Sequence, residues 1–147
     1  MRAFAQNRIG VAYGEVKAFT TASTVIPTVL TTAATQVTTN SAVVGGNVTD
    51  DGGAEVTERG IVYATTPNPT TANSKLTSGS GVGEFTCDLT DLQSNATYYA
   101  RAYAINKKGV AYGEEVSFAT NKQIVLPSIT TNAITQITEA SAVAGGN

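Results

Sequence analysis

A stretch at the start of this 147-residue chain returns 99 residues later. Arg2-Ala3-Phe4-Ala5, Asn7 and Gly10-Val11-Ala12-Tyr13-Gly14-Glu15 come back as Arg101-Ala102-Tyr103-Ala104, Asn106 and Gly109-Val110-Ala111-Tyr112-Gly113-Glu114. Pro27-Thr28-Val29 recurs as Pro127-Ser128-Ile129, and Ser41-Ala42-Val43-Val44-Gly45-Gly46-Asn47 as Ser141-Ala142-Val143-Ala144-Gly145-Gly146-Asn147, now at an offset of 100. One residue is therefore gained between Thr120 and Pro127. Self-similarity at a fixed period signals a repeated structural unit, and a period of about 100 residues is the size of a small domain. The phase predicts three pieces: 1–22 as the C-terminal strands of a preceding repeat, 23–121 as one complete repeat, and 122–147 as the N-terminal strands of a following one. Met1 aligns with Ala100, inside a predicted strand. Both ends are thus expected to be cut within domains, continued covalently or completed by other chains.

Composition favours strands. Charged residues make up only 14% of the chain, and threonine, serine, glycine and asparagine take their place. β-Branched threonine suits a pleated, half-solvated surface. Hydrophobic residues at 41% suffice for a packed core, and the net charge of −2 offers no basic field for nucleic acid. No apolar run reaches the length of a membrane-spanning helix, so no membrane insertion is expected. The chain has no histidine, which excludes histidine-based triads and metal sites. Its single cysteine, Cys87, excludes an intrachain disulfide.

Short alternating runs between turn residues predict an all-β sandwich of seven strands in the complete unit. They lie near Thr28–Thr31, Ser41–Thr49, Glu55–Thr65, Lys75–Thr77, Glu84–Leu89, Thr97–Ile105 and Val110–Thr120. Ala42, Val44, Gly46 and Val48 are expected inward, as are Phe85, Cys87 and Leu89, then Tyr98, Ala100, Ala102 and Ala104, and finally Val116 and Phe118. Asp50-Asp51-Gly52-Gly53 and Asn106-Lys107-Lys108-Gly109 read as turns.

Leu92-Gln93-Ser94-Asn95-Ala96-Thr97-Tyr98 ahead of an alternating strand resembles the fibronectin type III family, an immunoglobulin-like sandwich. Leu92 and Tyr98 match its tyrosine-corner spacing, which implies that the phenol ties the connecting loop to the strand. Gly45-Gly46-Asn47-Val48-Thr49, Thr66-Pro67-Asn68-Pro69-Thr70, Ser78-Gly79-Ser80-Gly81 and Ala111-Tyr112-Gly113-Glu114 are similar to fibronectin-like tandem repeats of secreted proteins of Bacteroidota-type bacteria. The chain departs from the animal pattern in having no tryptophan. The resemblance implies a stalk, spacer or adhesive module and no catalytic residues.

Candidate sites are few. Cys87 alternates with Phe85 and Leu89 and reads as core. Asp50 and Asp51 lack a full set of oxygen ligands at any recognisable spacing and read as turn residues, as do Asp88 and Asp91. Tyr99, Arg101 and Tyr103 form an expected outward stripe, suited either to stacking on a sugar or protein or to cross-strand pairing. Asn47-Val48-Thr49 and Asn95-Ala96-Thr97 match the asparagine glycosylation pattern, which is frequent by chance in a threonine-rich chain. No cofactor motif is present.

The expectation is a non-enzymatic structural module of an extracellular or cell-surface fibre, stalk or filament, touching neighbouring repeats or copies of itself. The alternatives are an adhesion module that binds glycans through the tyrosine stripe, and a polymerising subunit whose terminal strands are completed by neighbouring chains.

Overall fold

Alternation along the chain sets two facing layers in the computed structural model, which describes residues 1–21 and 23–132. The strands are β1 (Phe4–Gln6), β2 (Val11–Tyr13), β3 (Thr28–Thr31), β4 (Ala42–Asp50), β5 (Val56–Ala64), β6 (Ser74–Thr77), β7 (Gly83–Leu89), β8 (Thr97–Asn106), β9 (Gly109–Tyr112) and β10 (Val116–Ala119). One sheet runs β3-β4-β7 and the other β10-β8-β5-β6, with β9 also pairing with β8. All these pairings are antiparallel. The inner faces carry Val29, Ala42, Val44, Val48, Phe85, Cys87 and Leu89 against Val56, Ile61, Tyr98, Ala100, Ala102, Ala104, Ala111 and Phe118. These include the residues that period-two alternation turns inward, except Gly46, which is buried but has no side chain, and Val116, which is only half-buried against the core. The expected strands at Ser141–Asn147 lie outside the described residues.

The last strand differs from expectation: the run read as continuous from Val110 to Thr120 is broken between Tyr112 and Val116. β8 pairs first with β9, Tyr103 opposite Tyr112, and then with β10, Ala100 opposite Val116, so one extra residue is accommodated between them. Backbone accounting explains the break. Gly113 N–H donates to Ala102 C=O at 2.9 Å. Ala102 N–H instead reaches across to Thr31 Oγ1 of the facing sheet at 3.0 Å, and Gly113 C=O accepts from Arg101 Nε at 2.9 Å. A Cβ on Gly113 would stand 2.5 Å from Thr31 Oγ1 and 2.8 Å from its nitrogen. Glycine is what lets β3 approach this closely.

The chain is fastened at both ends of the sandwich. Val25 N–H donates to Gly52 C=O at 2.9 Å. The buried Asn106 carboxamide donates to Val25 and Asp51 carbonyls, each at 2.8 Å, while its oxygen accepts from Lys108 and Gly109 N–H. At the other end Asn121 N–H donates to Thr38 C=O at 2.8 Å, and Asn95 N–H to Asn121 C=O at 3.1 Å. The Asp50 end of β4 lies beside the first fastening and its Ala42 end beside the second, with nine residues between these limits. At about 3.3 Å per residue the two poles are ~30 Å apart.

Residues 1–14 copy the β8–β9 hairpin in detail, although no strand forms at 17–20, where β10 would correspond. Phe4 pairs with Tyr13 as Tyr103 does with Tyr112, and Gly14 N–H donates to Ala3 C=O at 2.9 Å. Asn7 Oδ1 accepts from Ile9 and Gly10 N–H, as Asn106 Oδ1 does from Lys108 and Gly109. Arg2 lies over the Tyr13 ring at 3.9 Å, and Arg101 over Tyr112 at 4.9 Å. The surroundings differ: Phe19 is 70% exposed where its counterpart Phe118 is 9% exposed.

The repeat supplies a matched pair of substitutions. Gly113→Val should lower the unfolding free energy by about 1–3 kcal/mol or more, since the facing backbone must move. Gly14→Val, whose Cβ meets nothing closer than 3.6 Å, should leave it within ~0.5 kcal/mol. Urea titration followed by tyrosine fluorescence measures both.

Candidate functional site

The stripe on β8 was the best surface candidate in the sequence, and the structure places its residues unequally. Tyr99 and Arg101 are half-buried on the outer face of the sheet. Tyr103, expected outward and accessible, is instead fully buried. The register gives the reason. Tyr103 lies opposite Gly60 on β5, and Gly60 lies opposite Thr77 on β6, so no side chain stands between the phenol and β6. The Tyr103 hydroxyl donates to Glu58 Oε1 at 2.7 Å, and Thr77 Oγ1 lies 3.3 Å from it. Lys75 completes the group, with Nζ 2.9 Å from Glu58 Oε1 and 5.7 Å from the Tyr103 ring centre.

These contacts set the titration of the cluster. Burial, reinforced by the Glu58 carboxylate, pushes the Tyr103 phenol up to about 12. Hydrogen bonds from Lys75 and then Tyr103 hold the Glu58 carboxyl below its ordinary value. The arrangement satisfies its own donors and acceptors, and it holds three strands together rather than presenting a free phenol to a ligand.

The segment between β5 and β6 covers more of the outer face. Thr71 N–H donates to the Tyr112 hydroxyl at 3.0 Å, with Thr71 Oγ1 3.1 Å from the same oxygen. Asn68 N–H donates to the Glu115 carboxylate, and Pro69 is fully buried. In the sequence Thr66-Pro67-Asn68-Pro69 marks the end of a strand and part of the family resemblance, with no sign of the covering role. The tyrosine that anchors the covering segment, Tyr112, was visible in the repeated motif but had no assigned partner.

At the C-terminal pole, the Tyr98 hydroxyl accepts from Gln93 N–H at 3.0 Å, and Leu92 is buried beneath the same loop. Tyr98 stacks on Phe118, with ring centres 5.8 Å apart. Thr120 Oγ1 donates to Gln93 C=O at 2.6 Å and accepts from Ala96 N–H at 3.0 Å. A shallow cavity of about 390 Å³ beside this loop is lined by residues including Tyr63, Asn73, Asp91 and Tyr98.

The remaining candidates are distributed singly. Cys87 is buried, and that burial raises its thiol pKa. Asp50 and Asp51 accept from Gly52 and Gly53 N–H at 2.6 and 2.8 Å, which commits one oxygen of each to the turn. Asp88 and Asp91 are exposed, and Asp91 has a positive φ of 57°. Among the described residues there is no group of three or more acidic, cysteine or histidine side chains placed to hold a metal. Asn47 is half-buried on β4, whereas Asn95 is exposed in the turn before β8. Arg59 lies in the run Val56-Thr57-Glu58-Arg59-Gly60, which is similar to the same fibronectin-like repeats, but the sequence gives it no partner. Its guanidinium donates to Ser78, Gly81 and Gly83 carbonyls at 3.4, 3.3 and 3.0 Å and lies over Phe85, so it ties down the crossing from one sheet to the other.

No protein-family model and no curated protein sequence matches the chain. Solved structures do. The sensor domain of the anti-sigma factor RsgI4 from Pseudobacteroides cellulosolvens, in its longer form, aligns at a TM-score of 0.50 and 17% identity over 70% of this chain and 97% of that one. A structure described as a myokine gives 0.50 and 23%, over 68% and 100%. The third fibronectin III domain of the human KIAA0343 protein gives 0.48 and 16%, over 78% and 99%. The likenesses at a TM-score of 0.50 show the fold alone. It is the all-β, immunoglobulin-like, fibronectin type III-like sandwich.

Two measurements follow from the cluster on β8. Tyr103 has a raised folded-state pKa, so its contribution to stability is complete below pH ~10 and is lost as pH rises toward about 12. Tyr103→Phe should flatten that alkaline limb and cost about 1 kcal/mol at neutral pH through the lost hydrogen bond. Glu58 has a lowered folded-state pKa, so its contribution is present above the ordinary carboxylate range and fades as pH falls through the lowered value. Glu58→Gln should flatten the acid limb. Chemical denaturation at a series of pH values reads both.

Proposed function

We propose that this chain is a piece of a tandem array whose role is structural: a non-enzymatic repeat module of an extracellular or cell-surface fibre, stalk or filament. In this reading, residues 1–22, 23–121 and 122–147 belong to three consecutive repeats. The observation that carries it is the fastening of the chain at opposite poles of the unit, through Val25 at one and Asn121 at the other. By the repeat alignment, Asn121 corresponds to Ala22 and Val25 to Val125. Ser23 and Thr24 alone then lie between the aligned positions at one joint, and Lys122, Gln123 and Ile124 at the other. Joints this short, followed by Pro27 and Pro127, limit the swing between units. Partners are neighbouring repeats or copies of the chain.

The fold's usual absence of catalytic machinery supports a non-enzymatic role, although fold by itself is a weak warrant for function. The adhesive alternative loses support because Tyr103 is buried, leaving Tyr99 and Arg101 as the accessible part of the stripe. If the chain carries glycans, the exposed Asn95 is a more accessible acceptor than the half-buried Asn47.

A polypeptide of three consecutive 23–121 units should scatter X-rays as a rod, its length growing by about 30–40 Å per unit, a strand length plus the joint. A radius of gyration near that of a compact globule of the same mass would overturn the reading.

A further inference from the structure

We infer that the open mouth of the sandwich beside the Thr90–Leu92 loop is a binding site for a neutral saccharide. The inference goes beyond the array reading and does not rest on it, since every residue that lines the mouth lies between positions 63 and 98.

The opening follows from how the strand ends are tied. β6 begins at Ser74, opposite Tyr63 near the end of β5, and β7 ends at Leu89 in the other sheet. The loop after β7 is drawn toward the β3–β4 connection, where Leu92 N–H donates to Asn40 C=O at 3.0 Å. Gln93 N–H is held by the Tyr98 hydroxyl, and Asp91 takes the positive φ that turns the loop. The β5–β6 end of the core is thus left uncovered, over a cavity of about 390 Å³. Small-molecule sites span roughly 300–1,000 Å³, so a sugar ring has room here. The departing chain is fastened to Thr38 and Asn95 after β10, and in the order β10-β8-β5-β6 it leaves on the far side of the sheet from the cavity.

The lining divides into an apolar floor and a polar rim. Leu92 and Tyr98 are buried below, and the half-buried Tyr63 ring, 6.3 Å from that of Tyr98, offers a flat surface to the C–H face of a sugar. Asn73, Ser74 and Asp91 stand exposed at the rim. Asn73 Oδ1 accepts from Thr70 N–H at 2.9 Å, which fixes the carboxamide and leaves Nδ2 to donate. One Asp91 oxygen lies 3.3 Å from Thr90 Oγ1, and the other is unengaged among the described residues, as are the Tyr63 and Ser74 hydroxyls. By contrast Arg59, Asn106 and Thr120, the polar side chains at other strand ends, are committed to backbone carbonyls. Donors and acceptors side by side suit vicinal hydroxyls, each of which can both give and take a hydrogen bond. Among the described residues Asp91 is the single charge on the lining, so the site lacks the cation that a phosphate or carboxylate ligand would pair with. An ammonium ligand would meet that carboxylate but leave the Asn73 donor and the hydroxyls unused.

Amide chemical shifts of the isotope-labelled full chain test this, in titrations with glucose, galactose, N-acetylglucosamine and cellobiose to about 50 mM each. At least one sugar should shift the amides of Thr65, Ser74 and Leu92, saturating in the millimolar range that a shallow site supports. Asp91→Asn keeps a residue type that tolerates positive φ, and Asn73→Asp keeps the acceptor for Thr70 N–H, so both should retain the parent urea midpoint. Each should raise the dissociation constant about fivefold or more, the effect of losing one hydrogen bond to the ligand. No shift at these amides with any of the sugars, undiminished binding in either variant, or shifts produced by choline or phosphate in place of the sugars would overturn the inference. Rod-like scattering of the three-unit polypeptide bears on the array alone, so either reading can fail without the other.

Discussion

The close approach of the two sheets governs most of this structure. Gly46 on β4 faces Ala102 on β8 so closely that a Cβ on Gly46 would lie 2.5 Å from the Ala102 methyl group and 2.8 Å from the Phe85 ring. The alanines at 100, 102, 104 and 111 keep that side of the core thin, and the bulk is supplied from the opposite layer by Val44, Val48, Phe85 and Leu89. Interiors pack at crystal-like density, so a thin layer on one side demands a thick one on the other. Because the sheets are this near, a threonine hydroxyl on β3 can serve a backbone donor on β8, and the last strand breaks to admit it.

The layer assignment was legible because a strand with one buried face must alternate, and β4, β7 and β8 do so cleanly. The tyrosine-corner spacing was legible through family resemblance. The break after Tyr112 was not, since Gly113 in sequence looks like any turn or strand glycine, and its constraint comes from Thr31, 82 positions away. Tyr103 shows the same limit. Alternation assigns a side chain to a face correctly but says nothing about whether that face is covered, and here Gly60 on a neighbouring strand decides it. The folding of Thr66–Asn73 onto Tyr112 was equally hidden, because covering segments leave no periodic signal.

The polar network has a consistent character. Arg59, Arg101, Asn106 and Thr120 all direct side-chain donors to backbone carbonyls. Each satisfies main-chain groups at a place where a strand ends, crosses or breaks, as buried backbone requires. Among the described residues no buried side-chain nitrogen or oxygen lacks a partner. The low charge content is thus matched by a core boundary sealed with neutral or cationic donors to carbonyls, and few carboxylates are needed.

The Asn106 carboxamide bears on how the unit would carry tension. It joins the incoming backbone at Val25 to the turn at Asp51 and to the tip of the β8–β9 hairpin. A pull arriving through Thr24 is therefore divided at once between both sheets, rather than peeling β3 away one hydrogen bond at a time. Val25 is held there twice, by the Asn106 amide at its carbonyl and by its own N–H to Gly52 C=O, so the load meets this paired anchor before it meets the β3 ladder.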